Sequence, residues 1–323
     1  MKYSTRIASI ILMLASFSAA AQWHSKRFEV MGTEANVELW HKDARKAQTL
    51  ITAVMDEMER INQLMSPYIE TSELSRINQL AAEKPQKISE EMFLLLTQSA
   101  DFSKESNGAF DITYASVGHL FNYREQSAPE DSTIKEHQPL IDYKSVVLEA
   151  EKSTVSFTKP GVKIDLGGIA KGHAVDRCIE LLAKSGVEHA FVNAGGDSRV
   201  LGDRKGRLWT VGIQHPRKKG EVLTRIPVEN VAISTSGDYE RFFIRNGERI
   251  HHIIDPNTGK SAKKSISVSI IADNALTSDA LSTTVFVLGP KKGLELINKL
   301  DKVSAIIIDE KGQYHYSKDL QSQ

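Results

Sequence analysis

Four short stretches of this chain carry residues of the kinds that do chemistry. The first, Asp165-Leu-Gly-Gly-Ile-Ala-Lys-Gly-His-Ala174, stands where an extended run turns into a helix. Gly167 and Gly168 let a ligand approach the backbone, a helix start offers free N–H groups, and Lys171 adds a full positive charge. That combination suits a phosphate, and suits equally a tight turn with a solvated lysine. The spacing matches neither G-x-x-x-x-G-K-[ST] nor G-x-G-x-x-G. The second stretch, Asn193-Ala-Gly-Gly-Asp-Ser198, follows a strand and reads as a ligand loop or a hairpin. The third joins Ile233-Ser-Thr-Ser-Gly-Asp-Tyr239 to His251-His-Ile-Ile-Asp-Pro-Asn-Thr-Gly259. A neutral histidine is a base near pH 7, and two adjacent strand residues point to opposite faces, so at most one of His251 and His252 enters a given site. The fourth is Ala275 to Thr284. On a helix Asp279 and Thr283 share a face at i, i+4, and a carboxylate with hydroxyls and carbonyls is a hard-oxygen set suited to Mg²⁺ more than to zinc.

The elements that must position these residues are legible in the pattern. Residues 28–39 alternate as a strand, or as two strands broken at Gly32. Helical spacing runs over 43–65 behind an Asp43 cap, over 73–80, and over 90–106 with Ser89 as N-cap and Gly108 just beyond. Residues 122–139 read as a polar surface excursion. Short strands are expected at 146–149, 154–157 and 162–166, then a helix over 169–184 stopped by Gly186. Strands follow at 189–193, 208–213, 222–228 and 241–244. Asn246-Gly247 marks a hairpin, and a further strand covers 266–271. Helices near 277–286 and 291–299 and a last hairpin at Lys311-Gly312 complete the chain. Strands and helices mix without a βαβ rhythm, which predicts an α+β fold with mixed, largely antiparallel sheets.

Composition narrows the function classes. The 323 residues carry 41 Lys plus Arg against 41 Asp plus Glu, so nothing draws the chain to nucleic acid or anionic lipid. A hydrophobic share of 41% with 25% charged residues describes a folded protein. One cysteine, Cys178, excludes an internal disulfide and a cysteine-based metal cluster, and as a lone thiol it is expected to be buried. Lys2 and Arg6 precede an apolar run and then Ser18-Ala-Ala-Ala21, which reads as a secretory signal peptide over residues 1–21. No lipobox cysteine follows it, and no later segment is apolar enough for a stable membrane span. The expectation is a single catalytic unit over 22–323, exported to a periplasm. Loss of Lys2 and Arg6 leaves 39 basic against 41 acidic residues, so any attraction for an anion must be local.

Taken in order, the stretches resemble the ApbE family of FAD:protein FMN transferases. The resemblance rests on Met31-Gly-Thr33, Ser72-Glu-Leu-Ser-Arg-Ile-Asn78, Gly108-Ala-Phe-Asp111, Asp165 to Gly172, Asn193 to Asp197, His252 to Gly259 and Ser278 to Thr283. It implies an ApbE-like, T-fold-like architecture with FAD in a central cleft. It also implies Mg²⁺-dependent transfer of FMN from FAD to a Thr or Ser of a partner protein, with release of AMP. By position, the resemblance implies that Met31, Tyr68, Ala109, Phe110, Asp111, Asp165, Lys171 and Ile254 line the FAD site. It places Mg²⁺ on Asp279 and Thr283 with the carbonyl of Gly168 and with Ser282, and makes His252 the base. The partners it implies are redox-protein domains carrying D-x-x-[ST]-G-A-[ST]. Asp255-Pro-Asn-Thr-Gly-Lys-Ser261 partly copies that pattern, but Lys260 replaces the alanine, so it reads as a turn rather than as a self-acceptor at Thr258. FAD hydrolysis without an acceptor and FAD binding without turnover are the competing readings.

Overall fold

The computed structural model describes residues 22–218 and 220–321, so the signal-peptide reading of residues 1–21 lies outside the described residues. Its frame is one eight-stranded antiparallel sheet. The strands are β1 (Gln22–Val30), β2 (Thr33–His41), β3 (Ala190–Ala194), β4 (Asp197–Leu201), β5 (Ala232–Gly237), β6 (Ser265–Ala272), β7 (Ser304–Asp309) and β8 (Tyr314–Tyr316), and they lie side by side in that order. The expected α+β class is what the chain adopts. The alternation over 28–39 proves to be a hairpin, since Met31 (φ 53°) and Gly32 (φ 70°) both take left-handed backbone and turn β1 into β2.

Helices fill the long connections. They are α1 (Ala44–Met65), α2 (Glu73–Leu80), α3 (Glu90–Glu105), α4 (Ala170–Lys184) and α5 (Ala275–Ile297). Asp43 caps α1 by accepting from Arg45 and Lys46 N–H, and Ser72 and Ser89 cap α2 and α3 in the same way. The two helices read near 277–286 and 291–299 are both present within α5, meeting at Gly289, whose backbone is not helical (φ 76°), directly before Pro290. The helices build two cores against the sheet. One joins α1 and α4 to β1–β3 through Leu39, Val54, Met58, Cys178 and Val192. The other joins α5 to β6 and β7 through Phe286, Ile270 and Ile307. A third core joins α2 and α3 to a three-stranded sheet of Gln86–Lys87, Thr154–Phe157 and Val146–Glu149.

One expectation is corrected. Residues 162–166 are extended but join no sheet, because their backbone groups are taken elsewhere. Asn78 bonds both Ile164 N–H (2.8 Å) and Ile164 C=O (2.9 Å), Lys163 N–H donates to Ser116 Oγ (3.0 Å), and Asp165 N–H to Ile112 C=O (2.9 Å). The excursion over 122–139 lies at the surface as expected, and within it Asp131–His137 is helical and buries Ile134. Cys178 is buried as expected, and burial pushes its thiol pKa up, which makes it inert. Among the described residues no helix is long and apolar enough to cross a membrane.

Candidate active site

The site grows from the crossing of α4 and α5. Gly172 sits where a side chain would collide with the other helix: a Cβ there would stand 2.2 Å from Ala275 C=O. Glycine therefore lets the two helix starts touch, and each caps the other. Asp279 of α5 accepts from Gly172 N–H (2.9 Å). Asp176 of α4 accepts from Ala275 and Leu276 N–H (both 2.8 Å) and binds Arg199 (2.8 Å). Asp176 was not singled out by the sequence, because its partners lie about one hundred residues away.

Lys171 lies in this crossing. Its Nζ is 2.5 Å from Asp197 and 3.7 Å from Asp279, both carboxylates being almost wholly buried. Burial alone would discharge the amine, but Asp197 and Asp279 together hold its pKa above the ordinary value. Burial and the nearby Asp197 push the Asp279 pKa up, while Lys171 and Gly172 N–H pull it down. Two buried carboxylates on one ammonium leave a net negative charge.

The remaining oxygens come from small side chains. Ser236 of β5 bonds Ser282 (2.8 Å), and Ser234 bonds Ser278 (2.7 Å), so hydroxyls seat α5 on the sheet. Thr283 faces the turn before α4, where a Cβ on Gly168 would fall 3.2 Å from Thr283 Oγ1 and 3.4 Å from the Phe110 ring. Thr283 thus lies against Gly168, Ser236 neighbours both Ser282 (2.8 Å) and Thr283 (3.4 Å), and the Asp279 carboxylate turns to Gly172 N–H and Lys171. Among the described residues no three His, Cys, Asp or Glu side chains gather as a metal cluster. A cation here would use carboxylate, hydroxyl and carbonyl oxygens, the donor set of Mg²⁺.

His251 and His252 part. His251 is buried; its ring bonds Ala262 C=O (2.8 Å) and meets the Phe286 ring edge-on at 5.6 Å. His252 is half-buried, its backbone N–H donates to Arg241 C=O (3.1 Å), and its Nδ1 has no hydrogen-bond partner among the described residues. Burial, then the charge of Arg241, then His251 and Lys171, push the His252 pKa down to about 3. The folded ring therefore refuses a proton that the unfolded one accepts below its ordinary 6.5. Stability should fall as the pH drops from about 6.5 towards 3, and His252→Gln should flatten that dependence. Chemical denaturation at pH 7, 5.5 and 4 checks this; equal slopes in both proteins would contradict it.

The other anticipated residues are placed as follows. Asp165 accepts from Tyr114 Oη (2.9 Å) and Gly167 N–H (2.6 Å), which fixes the glycine turn. Asp111 is buried and accepts from Thr113 N–H (2.8 Å), Thr113 Oγ1 (2.6 Å) and Tyr143 N–H (2.9 Å); burial still pushes its pKa up to about 6. These bonds give Asp111 the role of shaping the turn that presents Tyr114. Ala109 packs in the α5 core with Ile253, and Ile254 is buried on a short ladder with Ser261. Tyr68 stands 83% exposed. Met31 is half-buried at the β1–β2 turn, beside which the Arg241 guanidinium reaches Gly32 C=O (3.5 Å). Thr258 lies in the expected turn, closed by Gly259 N–H to Asp255 C=O (2.9 Å). Sequence reasoning missed Asp197 and Arg241 as site residues, although Asp197 ends a block that had been singled out.

This geometry has known counterparts. The profile described as "ApbE family" matches residues 31–307. The "FAD:protein FMN transferase" of Treponema pallidum is 31% identical over 309 residues, covering 90% of this chain and 85% of that protein. The Haemophilus influenzae protein of the same name is 31% identical, covering 92% and 86%. Among solved structures, the ApbE protein of Thermotoga maritima superposes with a TM-score of 0.86 at 34% identity, covering 93% of this chain and 99% of that one. The flavin transferase ApbE of Vibrio cholerae does so with 0.82 at 26%, covering 94% and 99%.

Proposed function

The chain belongs to the ApbE family and is on that ground an FAD:protein FMN transferase; we propose that it moves FMN from FAD to a Thr or Ser hydroxyl of an acceptor protein, forming a phosphoester and releasing AMP. The observation that carries this reading is Lys171 held between two buried carboxylates beneath a glycine-lined helix start. A diphosphate needs local positive charge in a protein with no net charge to attract it. Lys171, Asp197 and Asp279 together sum to a negative charge, so this cluster would hold a cation, and that cation would supply it. When bound, Mg²⁺ on Asp279, Thr283, Ser282 and the Gly168 carbonyl would neutralise phosphate charge.

His252 is the base in this proposal. It is neutral when free, so its lone pair is available. The cations that depress its basicity are those that a bound diphosphate would screen, so substrate binding raises its affinity for the acceptor's proton. Tyr68, Met31, Phe110 and Ile254 are proposed to contact the flavin or adenine, with Asp165, Asp111 and Ala109 shaping the pocket walls. The acceptors proposed are redox-protein domains bearing D-x-x-[ST]-G-A-[ST], and the leader over residues 1–21 supports export to a periplasm.

The test is AMP release from FAD and Mg²⁺, with and without such an acceptor. Release that requires the acceptor, and that falls at least about 10²-fold in His252→Gln, supports transfer by a general base. Equal release without acceptor would favour hydrolysis, and no release would leave a binding protein.

A further inference from the structure

Arg241 is the one strong charge at the mouth of the site that the reading above leaves without a task. It stands between β5 and the hairpin of Phe242–Arg245 with Glu248–His251. Its side chain is exposed and, among the described residues, makes no ion pair and one hydrogen bond, the long one to Gly32 C=O (3.5 Å). Other arginines near the site are committed: Arg199 to Asp176 (2.8 Å) and Arg217 to Asp238 (2.6 Å). Arg241 nevertheless acts electrostatically on both Lys171 and His252. Lys171 is held by two carboxylates, whereas the Arg241 guanidinium makes no ion pair among the described residues. An unpaired guanidinium held beside a neutral base and above a buried lysine is a ready partner for phosphate oxygens.

In-line displacement says which phosphate. The acceptor oxygen attacks phosphorus on the side opposite the departing AMP. The base must sit on the attacking side. Arg241 is tied to the base through the backbone, its carbonyl accepting from the His252 backbone N–H (3.1 Å), while its guanidinium reaches Gly32 C=O at the β1–β2 turn (3.5 Å). We propose that Arg241 binds the non-bridging oxygens of the FMN-side phosphate, the phosphoryl group that is transferred. The acceptor O–P bond forms, the P–O bond to AMP breaks, AMP leaves with the electron pair, and the acceptor's proton passes to His252. Arg241 keeps its protons throughout and serves as a binding residue for the transferred group.

This inference rests on the flavin-transfer reading, and its test separates the two. Binding of FMN, riboflavin and AMP, each with Mg²⁺, is measured by calorimetry for the wild type, Arg241→Gln and Arg241→Lys. Arg241→Gln is expected to weaken FMN at least tenfold while leaving riboflavin and AMP within about twofold, with Arg241→Lys recovering part of the loss. Because Arg241 is exposed and bonds only one carbonyl, the melting temperature should not move. Unchanged FMN affinity in Arg241→Gln, or an equal loss for AMP, would overturn the assignment while leaving flavin transfer intact. A wild type that binds neither FMN nor FAD would overturn both.

Discussion

Asp279→Asn is expected to lower FAD-dependent AMP release by about 10²–10³-fold, the range seen when one electrostatic group at a reacting centre is lost. The substitution is chosen for what it keeps. Asparagine retains an oxygen for Gly172 N–H, now 2.9 Å from the carboxylate, so the crossing of α4 and α5 should survive. Lys171 retains Asp197 at 2.5 Å. What disappears is the negative charge that would bind a hard cation. The Mg²⁺ concentration giving half-maximal activity should therefore rise steeply, while the melting temperature changes by only a few degrees. A variant that unfolds, or one that releases AMP at the wild-type rate with unaltered Mg²⁺ dependence, would show that Asp279 serves α4 rather than a metal.

Lys171→Met should instead damage the fold itself. It leaves Asp197 and Asp279, 2% and 3% exposed, facing each other with no cation. Breaking a buried pair by removing one partner costs about 3–5 kcal/mol, because the remaining charge has neither water nor counter-ion. The melting temperature should drop by roughly 5–15 °C. One of the two carboxylates would take a proton to survive burial, so the loss should shrink as the pH falls. The double variant Lys171→Met/Asp279→Asn should recover part of the stability, since it removes one of the stranded charges. Additive losses in that cycle would contradict the direct coupling of Lys171 and Asp279. Activity should be lost in both variants, so thermal melting and not turnover is the informative readout.

The contrast between these residues explains what could be read in advance. Helix caps such as Asp43, Ser72 and Ser89 act on N–H groups two or three residues ahead, and short-range spacing exposes them. Asp279 and Thr283 share a helical face for the same local reason, whereas the strand ends at His251 and His252 follows in the bend beyond it. Asp197 meets Lys171 across 26 residues, Asp176 caps α5 across about a hundred, and Arg241 meets Gly32 across 209. Nothing in the periodicity around these residues reports such partners. Residues 162–166 mislead in the opposite sense: their alternation is that of a strand, but Asn78 and Ser116 occupy the groups a neighbouring strand would need. The family resemblance named Lys171 and Asp279, and the structure adds Asp197 and the charge balance on which Lys171 depends.

The most direct measurement is the intact mass of an acceptor domain carrying D-x-x-[ST]-G-A-[ST] after incubation with this protein, FAD and Mg²⁺. One phosphoester-linked FMN per acceptor, absent when the motif Thr or Ser is replaced by Ala and absent with Asp279→Asn, is the expected result. An acceptor of unchanged mass, in a reaction where FAD is nevertheless split into FMN and AMP, would contradict transfer and establish hydrolysis instead.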